Sequence, residues 1–200
     1  MSNSILAGLD QAELLQLALK AGAGNEAGAA IAYLKEAVAR PDATAQAHYL
    51  LGAEYAQLGM YDRAAGEMEA AIALDQTLYT ARLQLALLWL GASQAERAAG
   101  VLRPLEESGV PAELQHFGRG LLLLIADDLA ASRAALAQGI ELNTANLPLN
   151  DDMQRIIGEL DSRIAAAGAA APADGTGVEA EAEGDGQHLL LSAYAGNFKH

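Results

Sequence analysis

The sequence contains no cysteine, and only 4% of its 200 residues are aromatic. The absence of cysteine excludes disulfides, thiolate metal ligands and cysteine nucleophiles, although it does not fix the compartment. The scarcity of aromatic and β-branched residues argues against a β-sandwich or β-barrel, because strands are enriched in both. Hydrophobic residues make up 52% of the chain and are mainly Ala and Leu, which favour helix. We therefore expect an all-α protein with a core of many small helical contacts.

Cationic residues are also few, since 12 Lys and Arg oppose 26 Asp and Glu and give a formal net charge of −14. Such a surface repels phosphate backbones and anionic lipid headgroups, so we expect no nucleic-acid partner. The most apolar run, residues 120–126, is far shorter than the roughly 20 residues of a membrane span. Residues 1–10 contain no Lys or Arg and no long apolar run, unlike a signal peptide. The expected location is the cytoplasm, without membrane insertion.

The chain repeats itself every 34 residues, in blocks that begin at Gln11, Ala45, Tyr79 and Glu113. Block positions 8 and 20 are small in every block, and position 24 is always Leu or Met. Two antiparallel helices approach closely where each offers a small side chain and a larger neighbour fills the space beside it. The alternation predicts four helix pairs. Position 8 is occupied by Ala18, Gly52, Ala86 and Gly120, and position 24 by Leu34, Met68, Leu102 and Leu136.

Residues that begin or break helices fall where this alignment requires them. The spacing of a capping box occurs at Asp10 with Glu13 and at Ser93 with Glu96. Other polar residues stand where a second helix would begin: Asn25, Asp62 and Asp127. Helix-breaking residues lie between the expected helices: Pro41, Gly59 and Gly91.

These blocks resemble the tetratricopeptide repeat (TPR). Block two matches best, because it keeps the residues that the family pattern requires: Leu51, Gly52, Tyr55, Ala64 and Ala71. Block four departs most, with Arg119 at position 7 and Gly139 at position 27. The resemblance covers residues 11 to about 146. It implies a right-handed α-solenoid of about four helix pairs and a non-catalytic protein-binding role, although this fold serves many different partners.

Beyond the repeats, the composition changes twice. Apolar residues at helical spacing predict a capping helix that covers the last repeat. An acidic Ala/Gly-rich stretch then predicts a flexible linker, and the final residues are again apolar. The predicted parts are a lead-in (1–10), four repeats (11–44, 45–78, 79–112 and 113–146), a capping helix (147–164), a linker (165–187) and an apolar C-terminal peptide (188–200).

The concave face offers a candidate groove, since family geometry suggests that block positions 2, 5, 9 and 12 point into it. In blocks three and four these positions are mostly Leu, so the first helices are apolar on both faces. Blocks one and two give a milder mixture, which includes Leu19 and Gly22 in block one. Either the second helices cover these leucines, or the groove binds an apolar peptide or helix. We favour binding. The predicted groove residues are Tyr49, Leu83, Leu87, Leu90, Leu114, Phe117, Leu121 and Leu124.

The C-terminal peptide is a candidate ligand for that groove. The sequence leaves three alternatives open. The peptide docks as a plug in the groove of its own chain, docks in the groove of a second copy, or is recognised by another protein. Its predicted contact residues are Leu189, Leu190, Leu191, Tyr194 and Phe198. The predicted function is an adaptor or chaperone that binds an apolar segment. The alternatives are a structural protein assembled through exchanged tails and a regulatory subunit of a larger enzyme or secretion complex.

The sequence offers little for catalysis or metal binding. His48 and His116 share block position 4 but lie two repeats apart, which is too far for one metal ion. The groove positions also lack the Lys, Asn and Arg side chains of the TPR carboxylate clamp. Paired acids such as Asp127 and Asp128 suit helix N-termini. We therefore expect no enzyme activity, no cofactor and no metal.

Overall fold

The computed structural model describes residues 6–170, and all regular secondary structure within this range is helical. No helix in the described range combines the length and apolarity that a membrane span requires. The expectation of an all-α fold is confirmed. The helices are α1 (Gln11–Ala23), α2 (Ala27–Val38), α3 (Ala45–Gln57), α4 (Tyr61–Leu74), α5 (Tyr79–Gly91), α6 (Ala95–Leu102), a 3-10 helix (Arg103–Glu106), α7 (Ala112–Ile125), α8 (Leu129–Leu142) and α9 (Leu147–Ala170).

The turn inside each helix pair has the same backbone conformation. In all four blocks the residue at position 15 is left-handed, with φ angles of 58°, 71°, 61° and 59° at Asn25, Gly59, Ser93 and Asp127. The capping box of Asp10 and Glu13 is confirmed, with both reciprocal hydrogen bonds at 2.8 Å. The second predicted box is wrong, because Ser93 occupies the left-handed turn and Gln94 precedes α6 without a side-chain cap.

Two compact units divide the chain, and their boundary falls within α5, between Leu85 and Ala86. The first unit contains the pairs α1/α2 and α3/α4. The expected contact between block positions 8 and 24 is present here, since a Cβ on Gly52 would lie 3.0 Å from Cγ of Met68. Near the start of this unit, the guanidinium of Arg40 donates to the carbonyl oxygens of Leu6 and Leu9 and so holds residues 6–9 against the end of α2.

The second unit contains α6 to α9. Helix α6 is only eight residues long and continues as the 3-10 helix that contains Pro104, because proline cannot donate the backbone hydrogen bond of an α-helix. Helices α7 and α8 form the next pair, where a Cβ on Gly120 would lie 2.5 Å from Cδ2 of Leu136. The Ser132 hydroxyl also donates to the Gly120 carbonyl oxygen over 2.8 Å.

The C-terminal helix α9 packs against α8 and is longer than predicted. It continues to Ala170, so the first six residues of the expected linker are helical. This correction has a simple cause, because residues 165–170 are mostly Ala, which has the highest helix propensity. Arg163 pairs with Asp127 at 3.0 Å, and Arg133 pairs with Asp161.

Candidate functional site

The structure places most of the predicted groove residues in the interior. Five of them are buried: Leu83, Leu87, Leu90, Phe117 and Leu121. The other three are half-buried: Tyr49, Leu114 and Leu124. The predicted ligand residues of the tail, Leu189, Leu190, Leu191, Tyr194 and Phe198, lie outside the described residues. The described chain therefore does not present these leucines and Phe117 as an exposed groove.

Phe117 shows why the assignment of its face was wrong. Its side chain is 0% exposed, and a Cβ on Gly139 would lie only 2.4 Å from the ring atoms Cδ1 and Cε1. The ring therefore occupies the space that a side chain at position 139 would need, inside the α7/α8 pair. The departure of block four from the family pattern at Gly139 is thus matched by an aromatic residue on the facing helix. Phe117 is a core residue and not a groove residue.

An open pocket lies instead in the first unit, where α1, α2 and α3 meet. It has a volume of about 190 Å³ and is lined by Ala18, Leu19, Gly22, Ala23, Leu34, Leu50 and Glu54. Six of these seven residues carry no polar side-chain atom. The site is therefore an open, mainly apolar pocket with one carboxylate.

Helix α1 reaches the pocket because two of its faces are apolar. Leu14, Ala18 and Ala21 follow helical spacing and are buried. Leu19 lies outside that buried stripe, and its side chain remains 52% exposed. Gly22, one turn later, has no side chain to fill the space above it. The α1 side of the pocket is thus an exposed leucine beside bare backbone.

Glu54 supplies the polar group of the pocket from α3. A Cβ on Gly22 would lie 3.1 Å from Oε1 of Glu54, so the carboxylate is close to the α1 backbone. Burial raises the pKa of the Glu54 carboxyl, because desolvation disfavours its charged form. Within residues 6–170 no donor forms a hydrogen bond or ion pair with it. By contrast, Glu36 pairs with Arg40 at 3.1 Å, and Glu67 contacts His48 at 2.7 Å.

Two other residues singled out in the sequence lie on the same helix. Tyr49 is half-buried next to Leu50 in the chain but does not line the pocket, and burial raises the pKa of its phenol. The Nδ1 atom of His48 contacts Oε2 of Glu67 across the α3/α4 pair. Among the described residues there is no group of three His, Asp or Glu side chains able to hold a metal ion.

Sequence reasoning did not select this pocket, because it ranked the groove by its leucine content. Leu19 and Gly22 stand at groove positions 9 and 12 of block one, where the groove residues are less apolar than those of blocks three and four. Leu34, Leu50 and Glu54 were not selected. A usable signal was present, since Glu54 is the only acidic residue in α3 and adjoins the best-matching TPR residues.

The fold resembles that of solved MamA structures. MamA residues 41 to the end from Desulfovibrio magneticus RS-1 match with a TM-score of 0.57 and 19% identity, covering 78% of this chain and 87% of that chain. A double mutant of RS-1 MamA matches with a TM-score of 0.57 and 15% identity, covering 94% and 95% respectively. No family model matches the sequence, and no curated protein matches it significantly.

These similarities concern the fold. MamA is a TPR-like helical solenoid, and the present chain shares its all-helical organisation of successive pairs. The predicted TPR-like fold class is therefore confirmed. At identities below one fifth, the likeness does not extend to partners or activity.

Proposed function

We propose that this chain is a non-catalytic protein-interaction module that binds an apolar segment of a partner through the pocket between α1 and α3. One observation carries the proposal: Leu19 is 52% exposed at the edge of an apolar cavity of about 190 Å³. Exposed apolar surface beside a cavity is typical of binding sites, whereas an isolated exposed leucine is not. The TPR-like fold supports the same role, because its helices provide a binding surface and need no catalytic residues.

The size of the pocket indicates what part of the partner enters it. Small-molecule sites usually measure about 300 to 1,000 Å³, whereas an engineered protein cavity of about 150 Å³ holds one benzene molecule. A cavity of about 190 Å³ therefore suits a single side chain. We infer that one side chain of the bound segment anchors in the pocket and that the rest contacts the α1 and α3 surfaces around Leu19.

The proposal retains the adaptor or chaperone role but moves its site from the last two helix pairs to the first unit. The absence of nucleic-acid binding remains part of it, supported by the net charge of −14, and a cytoplasmic location is retained as a proposal. The chain's own C-terminal peptide, residues 188–200, remains a candidate occupant because it is apolar. In that case the tail acts as a plug or links two copies.

The matched variants Leu19→Asp and Leu58→Asp test this site. Both leucines are 52% exposed and belong to the first unit, but only Leu19 lines the pocket. Peptides selected from a random display library on the full chain should lose at least about tenfold in affinity for Leu19→Asp, since an apolar contact is replaced by a charge. The same peptides should bind Leu58→Asp as they bind the wild type. Peptides that bind all three proteins equally would place the interaction surface elsewhere.

Assembly through exchanged tails is the second candidate, favoured by the apolar character of residues 188–200. Light scattering coupled to size exclusion should then show fewer chains per particle when the chain ends at residue 170. An unchanged number of chains per particle would exclude tail-linked assembly. A dependence on Leu19 in the same experiment would connect assembly to the pocket.

A further inference from the structure

We propose that the pocket binds an aliphatic ammonium group, namely the lysine side chain of a partner segment, and that Glu54 is its counter-ion. This inference rests on the proposed function and adds the chemistry of the anchoring side chain. The position of the carboxylate is the first argument. Oε1 of Glu54 lies 3.1 Å from the place where a Cβ of residue 22 would stand, so it lies over the bare α1 backbone at the pocket wall.

The second argument is that Glu54 has no counter-charge of its own. No described residue pairs with it, and it is the only titratable group among the seven that line the pocket from α1, α2 and α3. A carboxylate that is partly withdrawn from water without a partner loses solvation that nothing replaces. A cation delivered by a ligand restores that interaction. A neutral apolar side chain in the same place restores nothing, so lysine is preferred as the anchor while the rest of the bound segment stays apolar.

The shape of the pocket favours lysine over arginine. Apolar side chains and backbone surround a single carboxylate, which suits a thin methylene stem that ends in a compact ammonium group. A guanidinium is a planar fork that binds best when several acceptors surround it. The net charge of −14 also attracts cationic segments at long range.

Two small probes separate charge from apolarity: n-pentylammonium and n-pentanol, which have similar stems and different ends. Titration of the full chain, followed through the methyl NMR signals of Leu19, Leu34 and Leu50, gives the affinity of each. We expect pentylammonium to bind about fivefold more tightly than pentanol, as is typical of a partly exposed ion pair. Glu54→Gln should remove this preference. Glu26→Gln is the matched control, since Glu26 is exposed, forms no side-chain cap and lies outside the pocket.

The dependence on pH supplies a second readout that a purely structural role of Glu54 would not give. Lowering the pH through the raised pKa of Glu54 should neutralise the carboxylate and weaken pentylammonium binding, while pentanol binding stays constant. The pH dependence should disappear in Glu54→Gln. Equal affinity for the two probes in the wild type, or a preference that persists in Glu54→Gln, would overturn the inference.

The outcomes also distinguish this inference from the proposed function. If both probes bind equally and both are lost in Leu19→Asp, the apolar pocket is real and only the cation is wrong. If display-selected peptides are insensitive to Leu19→Asp, the proposed function itself fails. A synthetic peptide of residues 188–200, which contains Lys199, tests the chain's own end as the occupant. Binding that depends on both Lys199 and Glu54 supports the inference, and binding that depends on neither contradicts it.

Discussion

The aromatic ring of Phe117 lies directly against the backbone of Gly139 on the facing helix. A Cβ at position 139 would stand 2.4 Å from two ring atoms, which is far inside van der Waals contact. We expect Gly139→Ala to destabilise the protein by about 1 to 3 kcal/mol, because the added methyl group would overpack the contact with this fully buried ring. Urea unfolding measures this change.

A helical glycine with open space above it provides the control for that substitution. Gly66 lies in the interior of α4 and has nothing within 4 Å of its would-be Cβ. Gly66→Ala should stabilise the protein by about 0.5 to 1 kcal/mol through helix propensity. The double variant Phe117→Leu with Gly139→Ala should recover part of the lost stability. If Gly139→Ala behaved like Gly66→Ala, the described packing would be incorrect.

Ser93 adopts a left-handed backbone conformation, with a φ of 61°. Residues with a Cβ pay roughly 1 to 2 kcal/mol in this region, and glycine does not. Ser93→Gly should therefore raise the free energy of unfolding by about 1 kcal/mol. The adjacent exposed residue Ala92 has no positive φ, so Ala92→Gly should instead lower it by about 0.5 kcal/mol or more. A loss of stability in both variants would contradict the assigned turn.

Asn143 joins α8 to α9 through a buried amide. Its Nδ2 donates to the Asn146 carbonyl oxygen and to Oδ1 of Asn150, both over 2.8 Å, while its Oδ1 accepts from the Asn146 backbone N–H over 3.1 Å. Asn143→Ala should cost about 1 to 3 kcal/mol, because these groups lose their partner away from water. Thr144→Ala, at the adjacent exposed position, should change stability by about 0.5 kcal/mol or less. Thermal or urea unfolding of the two variants compares them directly.

The unpaired carboxylate of Glu54 predicts a specific pH dependence of stability. Its pKa in the folded chain is raised by burial, so the folded chain holds this proton more tightly than the unfolded chain does. Stability contributed by the group therefore falls as the pH rises from the unfolded pKa through the raised folded pKa. Because the site is partly exposed, the effect should stay well under about 1 kcal/mol.

The free energy of unfolding of the wild type and of Glu54→Gln, measured from acid to neutral pH, isolates the contribution of the Glu54 carboxyl. Glu54→Gln should gain stability relative to the wild type as the pH rises toward neutral. The difference between their free energies of unfolding should shrink in acid. A difference of the opposite sign would show that a hydrogen-bond donor or a cation stabilises the Glu54 carboxylate in the folded chain. Saturating pentylammonium should reduce the difference if it pairs with the carboxylate.

The sequence was sufficient for features that depend on position within a repeat. The small residue Gly52 and the long residue Met68 belong to fixed block positions, so their contact followed from the alignment alone. Helix starts at Gln11, Ala45 and Tyr79 coincide with the first residues of three blocks for the same reason. These features repeat along the chain and therefore reinforce one another.

Features in which a missing side chain on one helix is matched by a larger residue on another could not be predicted from block positions. The direction of Phe117 follows from the missing side chain at Gly139, and the pocket follows from the missing side chain at Gly22 beside Glu54. In each case a glycine on one helix determines what a residue on another can do. Ser93 was mistaken for a cap because a capping-box spacing does not distinguish the left-handed turn residue from the residue that follows it. The length of α9 exceeded its apolar pattern because alanine continues a helix without burial.

The recurrence of one left-handed residue at the fifteenth place of every block has a practical outcome for protein engineering. Since the intra-pair turns share a φ near 60° to 70° and the first two helix pairs begin 34 residues apart, block two is a portable module. Copying residues 45–78 in frame after residue 78 would lengthen the protein by one hairpin without requiring a new junction geometry. The chain thus carries its own template for extension.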